Sequence, residues 1–170
     1  SAVIKQVDSL IKVSRDHTGK RDFVKALEVN DMAEKLVLEK LGPETASYGN
    51  VGANHGRILA IKGDYPEAEK LFLESRSFRE KLLGKDHPDY IWSIYNLASL
   101  YSRMRQNEKA ESLYLEFIAL REKTLGKEHA DYALGVYYVA NFYKDIRQFK
   151  KAEPLYFEAI AIQEKIHGKE

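Results

Sequence analysis

The sequence of 170 residues contains no cysteine and carries almost no net charge. Without cysteine, the chain can form neither a disulfide framework nor a cysteine-based zinc site. Its 27 basic and 26 acidic residues leave a formal charge of +1. This balance argues against broad binding of nucleic acid, which requires a basic surface.

Long apolar runs are missing as well. No segment approaches the roughly 20 apolar residues that a membrane-spanning helix needs. The first ten residues include Lys5 and Asp8 and lack the apolar core of a signal peptide. We therefore expect a cytoplasmic protein with neither a membrane nor a nucleic acid as its partner.

The motifs of common enzyme chemistry are absent from the sequence. There is no HExxH zinc motif, no GxxxxGK[ST] phosphate loop and no GxSxG nucleophile elbow. The five histidines show no paired spacing for a metal site, and His87 and His129 are expected to cap helix starts. We expect no enzymatic activity, no cofactor and no bound metal.

What the sequence does contain is a repeat of 42 residues. Glycines at positions 42, 84, 126 and 168 mark its period, and several other columns keep the same register. These columns hold tyrosines at 48, 90 and 132, Ala-Glu pairs at 68, 110 and 152, and leucines at 71, 113 and 155. Such regularity is typical of a repeat protein built by stacking one structural unit.

Each repeat is predicted to consist of two antiparallel helices. In the third repeat Ile94, Leu97 and Ala98 begin an apolar stripe at helical spacing, and Ala110, Leu113 and Tyr114 begin a second one. The polar segment 103–107 between them is short, so the helices must be antiparallel neighbours. Each glycine of the 42-residue series is expected to adopt a left-handed conformation at a helix end. The fold class is therefore predicted to be all-α, a right-handed α-solenoid of about four helix pairs.

The whole chain is expected to form one domain of four repeats. Their approximate bounds are 1–41, 42–83, 84–125 and 126–167, and the first is a degraded copy. The final residues Gly168, Lys169 and Glu170 repeat the sequence of Gly126, Lys127 and Glu128. We therefore expect this sequence to be part of a longer chain with a fifth repeat.

The columns of the third repeat resemble those of a known family. Asn96-Leu97-Ala98, Tyr101, Ala110-Glu111, Leu113-Tyr114 and the segment from Arg121 to His129 carry the likeness. They are similar to the tetratricopeptide repeats of kinesin light chains, which have 42 residues each. The standard tetratricopeptide repeat is shorter, with 34 residues. The resemblance implies a superhelix whose concave groove, lined by the first helix of each repeat, holds a partner peptide through asparagine side chains.

Residues on the non-packing face of each first helix are predicted to line this groove. Asparagines can donate to and accept from a peptide backbone, aromatic residues supply binding area, and basic residues attract an acidic partner. The predicted groove residues are Asn50, Asn54, Arg57, Trp92, Tyr95, Asn96, Ser99, Arg103, Tyr137, Tyr138, Asn141 and Lys144.

Three functions remain open at this point. The favoured one is a protein-interaction scaffold that binds a partner peptide in the groove. The second is a regulatory or sensing arm of a larger enzyme or signalling protein. The third is a structural array that self-associates, since Phe157 and Ile160 belong to a final helix that no further helix in this sequence covers.

Overall fold

A computed structural model describes residues 1–168 of the chain. Within them it contains eight α-helices and no strand. The helices are α1 (Ala2–Gly19), α2 (Phe23–Lys40), α3 (Ala46–Lys62), α4 (Tyr65–Leu83), α5 (Pro88–Arg103), α6 (Asn107–Leu125), α7 (Ala130–Asp145) and α8 (Phe149–His167). The predicted all-α class is confirmed.

The helix starts reproduce the sequence period. Helices α3, α5 and α7 begin at residues 46, 88 and 130, and α4, α6 and α8 begin at 65, 107 and 149. Both series step by 42 residues, so each repeat contributes one odd-numbered and one even-numbered helix. Helix α8 keeps this start although Pro154 lies inside it.

The chain forms two compact units, which are described separately. The N-terminal unit is Ser1–Leu100 and the C-terminal unit is Tyr101–Glu170. In the first, α1 packs on α2, α3 packs on α4, and α3 also contacts α1 and α2. In the second, α7 packs on both α6 and α8. Within each unit, therefore, the arrangement is one of packed helix pairs.

The turn inside each helix pair has a common conformation. Residues 21, 63, 105 and 147 all have positive φ, and only Gly63 among them is a glycine. The next residue donates its amide to a carbonyl five positions earlier, as Asp64 does to Leu59 at 2.9 Å and Gln106 to Tyr101 at 2.9 Å. This is the Schellman pattern that ends a helix on one left-handed residue. Arginines at the other three positions adopt a conformation that L-residues rarely take.

Three of the four glycines at the links between repeats have positive φ, but the predicted left-handed helical conformation was wrong for two of them. Gly84 and Gly126 have ψ values of 166° and 163°, which are extended. Gly42, Gly84 and Gly126 have φ values of +88°, +83° and +78°. The prediction for Gly168 was wrong, since its φ is −75° and its amide continues the helical pattern by donating to the Glu164 carbonyl. The repeated residues Lys169 and Glu170 lie outside the described part of the chain.

The expected histidine caps are present at two of these links. The Nδ1 atom of His87 accepts from the Asp89 amide at 3.1 Å, and that of His129 accepts from the Asp131 amide at 3.1 Å. Each histidine therefore satisfies one of the free amides at the start of the following helix.

Small residues occupy buried positions where the sequence predicted close helix contacts. Ala68, Ala98, Ala110 and Ala140 are fully buried, as their columns predicted. In the second repeat the same role falls to Gly56, where a Cβ atom would come within 2.8 Å of the Phe72 ring. A Cβ at Gly52 of the same helix would meet nothing within 4 Å.

These two glycines give a matched test of the packing. We expect Gly56→Ala to lower the free energy of unfolding by about 1 kcal/mol, because the added methyl group overpacks against the buried Phe72 ring. Gly52→Ala should raise it by about 0.5 to 1 kcal/mol, since alanine favours the helix and its methyl group meets open space. Urea denaturation measures both, and changes of the same sign would contradict this description of α3.

Candidate functional site

The predicted groove residues fall into one group in each compact unit. Asn50, Asn54, Arg57, Trp92, Tyr95, Asn96 and Ser99 belong to the N-terminal unit, and Arg103, Tyr137, Tyr138, Asn141 and Lys144 to the C-terminal unit. All of them except Asn54 are at least partly exposed. We use the name first-helix face for the exposed or partly exposed residues of this kind on the odd-numbered helices of the N-terminal unit: Arg15 on α1, Asn50 and Arg57 on α3, and Trp92, Tyr95, Asn96 and Ser99 on α5.

The prediction that Asn54 lines the groove was wrong. Its side chain is 1% exposed, and its Nδ2 atom donates to Ser14 Oγ and to Asn30 Oδ1, each at 3.0 Å. Its Oδ1 atom accepts from Arg15 Nε at 3.3 Å. These bonds occupy the amide within the protein, so Asn54 joins α1, α2 and α3 and has no exposed group to offer a peptide.

Asn50 is half-buried, and it also has a partner within the fold. Its Oδ1 atom accepts from Arg79 Nη2 at 2.7 Å. The other terminal nitrogen of Arg79 donates to Ser93 Oγ at 2.9 Å and to the Asp89 carbonyl at 3.0 Å. One buried guanidinium on α4 therefore ties α3 to the start of α5, and it fixes Asn50 on the first-helix face.

The first-helix face of the N-terminal unit is positively charged. Arg15 on α1 and Arg57 on α3 are both exposed, and neither has a carboxylate partner within the described residues. Partial burial holds the pKa of Arg15 below its usual value, and repulsion from Arg57 adds to this shift. Repulsion from Arg15 is also one cause of the lowered pKa of Arg79, although burial is the larger cause and Asp89 opposes it. Arg15 therefore lies near both Arg57 and Arg79.

An aromatic pair lies on α5 of the same face. The rings of Trp92 and Tyr95 meet edge to face, with centroids 5.1 Å apart. Both side chains are partly exposed, and so are Asn96 and Ser99, which follow on the same helix. This arrangement supplies rigid apolar area next to polar groups, the composition found in binding hot spots.

The C-terminal unit carries a second aromatic group. Tyr137 is 45% exposed and lies between Tyr138, with centroids 6.3 Å apart, and Tyr156, with centroids 5.7 Å apart. Asn141 accepts a hydrogen bond from the Tyr156 hydroxyl at 2.6 Å, so its oxygen is already occupied. Of the two basic residues, Lys144 pairs with Asp145 at 3.6 Å and Arg103 is exposed.

Comparisons with known proteins agree with this architecture. Residues 45–123 match the sequence model of the tetratricopeptide repeat. A crystal structure of nearly identical TPR-like repeats from Podosopora anserina, assigned to a kinesin light chain, superimposes with a TM-score of 0.74 at 23% identity. The chain therefore has the fold of tetratricopeptide-repeat proteins, and its residues 45–123 carry the sequence pattern of that repeat.

In fold, its repeats are of the kinesin-light-chain-like type. The alignment with the Podosopora anserina repeats covers 95% of this chain and 77% of theirs. A variant of those same repeats gives a TM-score of 0.73 at 23% identity, with 95% and 76% covered. BtubC (BKLC) from P. vanneervenii gives a TM-score of 0.75 at 19% identity, with 95% of this chain and 65% of that chain covered. No curated protein sequence matches this chain.

The described residues contain no helix that is both long and apolar enough to cross a membrane. They also contain no group of three or more His, Asp or Glu side chains that could hold a metal ion. The tetratricopeptide fold is one of protein-protein interaction, so its surfaces are the place where a function is expected.

Two important residues were not singled out by the sequence analysis. Arg79 shares a column with Arg121, which is likewise buried and reaches Asp131 on the next helix at 3.8 Å. Asn30 stands in a column that otherwise holds Phe72, Tyr114 and Tyr156. Arg79 could have been found as a basic residue that recurs among apolar neighbours, and Asn30 as a polar residue that interrupts an aromatic column.

The different environments of two asparagines yield a test. We expect Asn54→Ala to lower the free energy of unfolding by about 2 kcal/mol, because it leaves the buried Asn30 oxygen without its donor. Asn96→Ala at the equivalent, half-exposed position should change it by less than about 0.5 kcal/mol. Urea denaturation of both variants checks this, and equal effects would contradict the buried network.

Proposed function

We propose that this protein is an interaction scaffold that binds an extended, acidic peptide of a partner protein on the first-helix face of the N-terminal unit. The observation that carries the proposal is the pair of exposed arginines, Arg15 and Arg57, on neighbouring helices, neither of which forms an ion pair with a carboxylate of residues 1–168. A carboxylate or phosphate from a partner would relieve their repulsion and form charge-assisted hydrogen bonds.

The neighbouring side chains fit the rest of such a peptide. Trp92 and Tyr95 offer a rigid aromatic surface for an apolar side chain. Asn96 and Ser99 are partly exposed polar groups that can pair with a peptide backbone. The expected ligand is therefore an extended segment that carries acidic residues beside an apolar or aromatic one.

A selection from random displayed peptides tests the proposal. Wild-type protein is expected to enrich peptides with acidic residues, and Arg57→Glu should abolish that enrichment because it reverses the charge at an exposed position. Binding of the enriched peptides should weaken as salt rises, since exposed charges are screened.

The matched control is Lys40→Glu, which makes the same charge change at an exposed position at the end of α2. It should leave the enrichment of acidic peptides intact. Circular dichroism should show that both variants keep the wild-type helix content. The proposal fails if the wild type enriches no acidic peptides, or if both variants lose them equally.

A second candidate function is self-association through α8. Phe157 is 64% exposed and Ile160 is 52% exposed, and Phe149 at the start of the same helix is exposed as well. Large apolar groups that cluster on one exposed helix mark surfaces that bind another protein surface. A second copy of this chain would bury them.

Sedimentation velocity over a range of concentrations measures this association. The wild type is expected to shift to a faster species as concentration rises, and Phe157→Glu should remain monomeric. Leu115→Glu is the control, because Leu115 occupies the same column on α6 and is 51% exposed. A wild type that stays monomeric at every concentration would eliminate this function.

A further inference from the structure

The repeat pattern is broken at three positions that meet in one place. Asn30 on α2 replaces the aromatic residue that the other repeats have in its column. Gly49 and Gly52 on α3 stand where the third repeat has Ile91 and Ile94. Each change removes side-chain volume, and all three residues line the same cavity.

This cavity lies between α2, α3 and α4 of the N-terminal unit and has a volume of about 230 Å³. It is smaller than the roughly 300 to 1,000 Å³ of typical pockets for drug-sized ligands, so it fits one ring rather than several. None of its lining residues belongs to the first-helix face. It is therefore a separate site, and its occupancy does not depend on the proposed peptide binding.

One buried polar residue of the cavity wall has a hydrogen-bond donor without a partner. Asn30 is 0% exposed, and its Nδ2 atom has no hydrogen-bond acceptor in the structure. Since an arginine can only donate, Arg15 fixes the oxygen of Asn54 toward itself and the Asn54 nitrogen toward Asn30. The oxygen of Asn30 must then face Asn54, which leaves its nitrogen as the free donor.

The rest of the wall combines apolar and aromatic side chains with His55, Ser75 and two acidic residues. Tyr48 and Phe78 meet with ring centroids 6.0 Å apart, and Leu71 lies with them along the cavity. Glu34 and Glu74 also line it, and within the described residues neither forms a hydrogen bond or ion pair. The cavity thus combines a buried donor, an aromatic wall and two free carboxylates.

We propose that this cavity binds a single aromatic ring that carries a hydrogen-bond acceptor and lies next to a positive charge. A hydroxyphenyl group fits, because its hydroxyl oxygen accepts from Asn30 Nδ2 while its ring contacts Tyr48 and Phe78. The cation then pairs with Glu34 and Glu74. This chemistry occurs in a free aromatic amine such as tyramine and in a tyrosine beside a lysine in a peptide.

A titration followed by ¹⁵N NMR tests the proposal with matched ligands. Tyramine and a blocked Lys-Tyr dipeptide are the two probes, and the side-chain amide of Asn30 is the signal. With at least one probe, we expect the chemical shift of this amide to change and the change to saturate as the probe concentration rises. The one with the lower Kd identifies whether the site prefers the free amine or the peptide. If neither probe moves the Asn30 signal, the cavity holds only water and the proposal is wrong.

Two analogues separate the contributions of charge and hydrogen bond. Phenethylamine has the ring and the cation but no acceptor, and 4-hydroxyphenylacetate has the ring and the hydroxyl but the opposite charge. Each should bind at least about tenfold more weakly than tyramine, the factor expected for the loss of one hydrogen bond or ion pair. Equal binding of 4-hydroxyphenylacetate would overturn the assigned role of the two carboxylates.

Variants of the protein test the location. Gly52→Ile introduces the residue of the third repeat and should abolish binding by filling the cavity. Gly52→Val, which introduces the smaller residue that the fourth repeat has in this column, serves if isoleucine prevents folding. The double variant Glu34→Gln/Glu74→Gln should weaken tyramine binding by about tenfold or more. Glu44→Gln, an exposed carboxylate away from the cavity, should not change it. Binding that survives in Gly52→Ile would place the ligand elsewhere and refute the proposal.

Discussion

The amide of Asn54 is the interaction on which the N-terminal unit depends. Its side chain is almost fully enclosed, and its hydrogen bonds join three helices. Its orientation is not free, because Arg15 can only donate to it. That constraint leaves the Asn54 nitrogen to donate to the Ser14 hydroxyl and to Asn30, and it thereby determines which way the Asn30 side chain amide points. A polar network of this kind favours one arrangement of the helices, since others leave more of its buried groups unpaired.

The same network gives the unit two chemically different sides. At one end it holds Arg15 near Arg57, where a like-charged pair favours an anionic partner. At the other end it leaves the Asn30 nitrogen as a donor in the wall of a cavity that also includes Glu34 and Glu74. The two proposed sites therefore differ in charge, and each is expected to repel the ligand proposed for the other.

Much of the fold could be predicted from the sequence because residues that recur in every repeat indicate where the backbone turns and where helices pack closely. A glycine or alanine that recurs every 42 residues marks a turn or a close helix contact, and Gly84 and Gly126 do lie at links with positive φ, while Ala98 is buried. The burial of Asn54 could not be predicted in this way. Its column predicts the side of the helix, but the first repeat brings Ser14 and Asn30 against that side and covers it. Gly168 was misjudged because a single column assigns it the conformation of its equivalents, whereas its own amide extends the helical pattern of α8.

The candidate sites illustrate a general limit of reading repeats. Periodicity identifies what all repeats share, which is packing, whereas a binding site consists of what one repeat does differently. Asn30, Gly49 and Gly52 each look like ordinary divergence when taken alone, and only their meeting in three dimensions makes them one feature. A random loss of volume in a core is normally filled by neighbouring side chains, because interiors are close-packed. Here the space stays open beside a donor whose direction is fixed by its neighbours, and it is this combination that distinguishes a site from a packing defect.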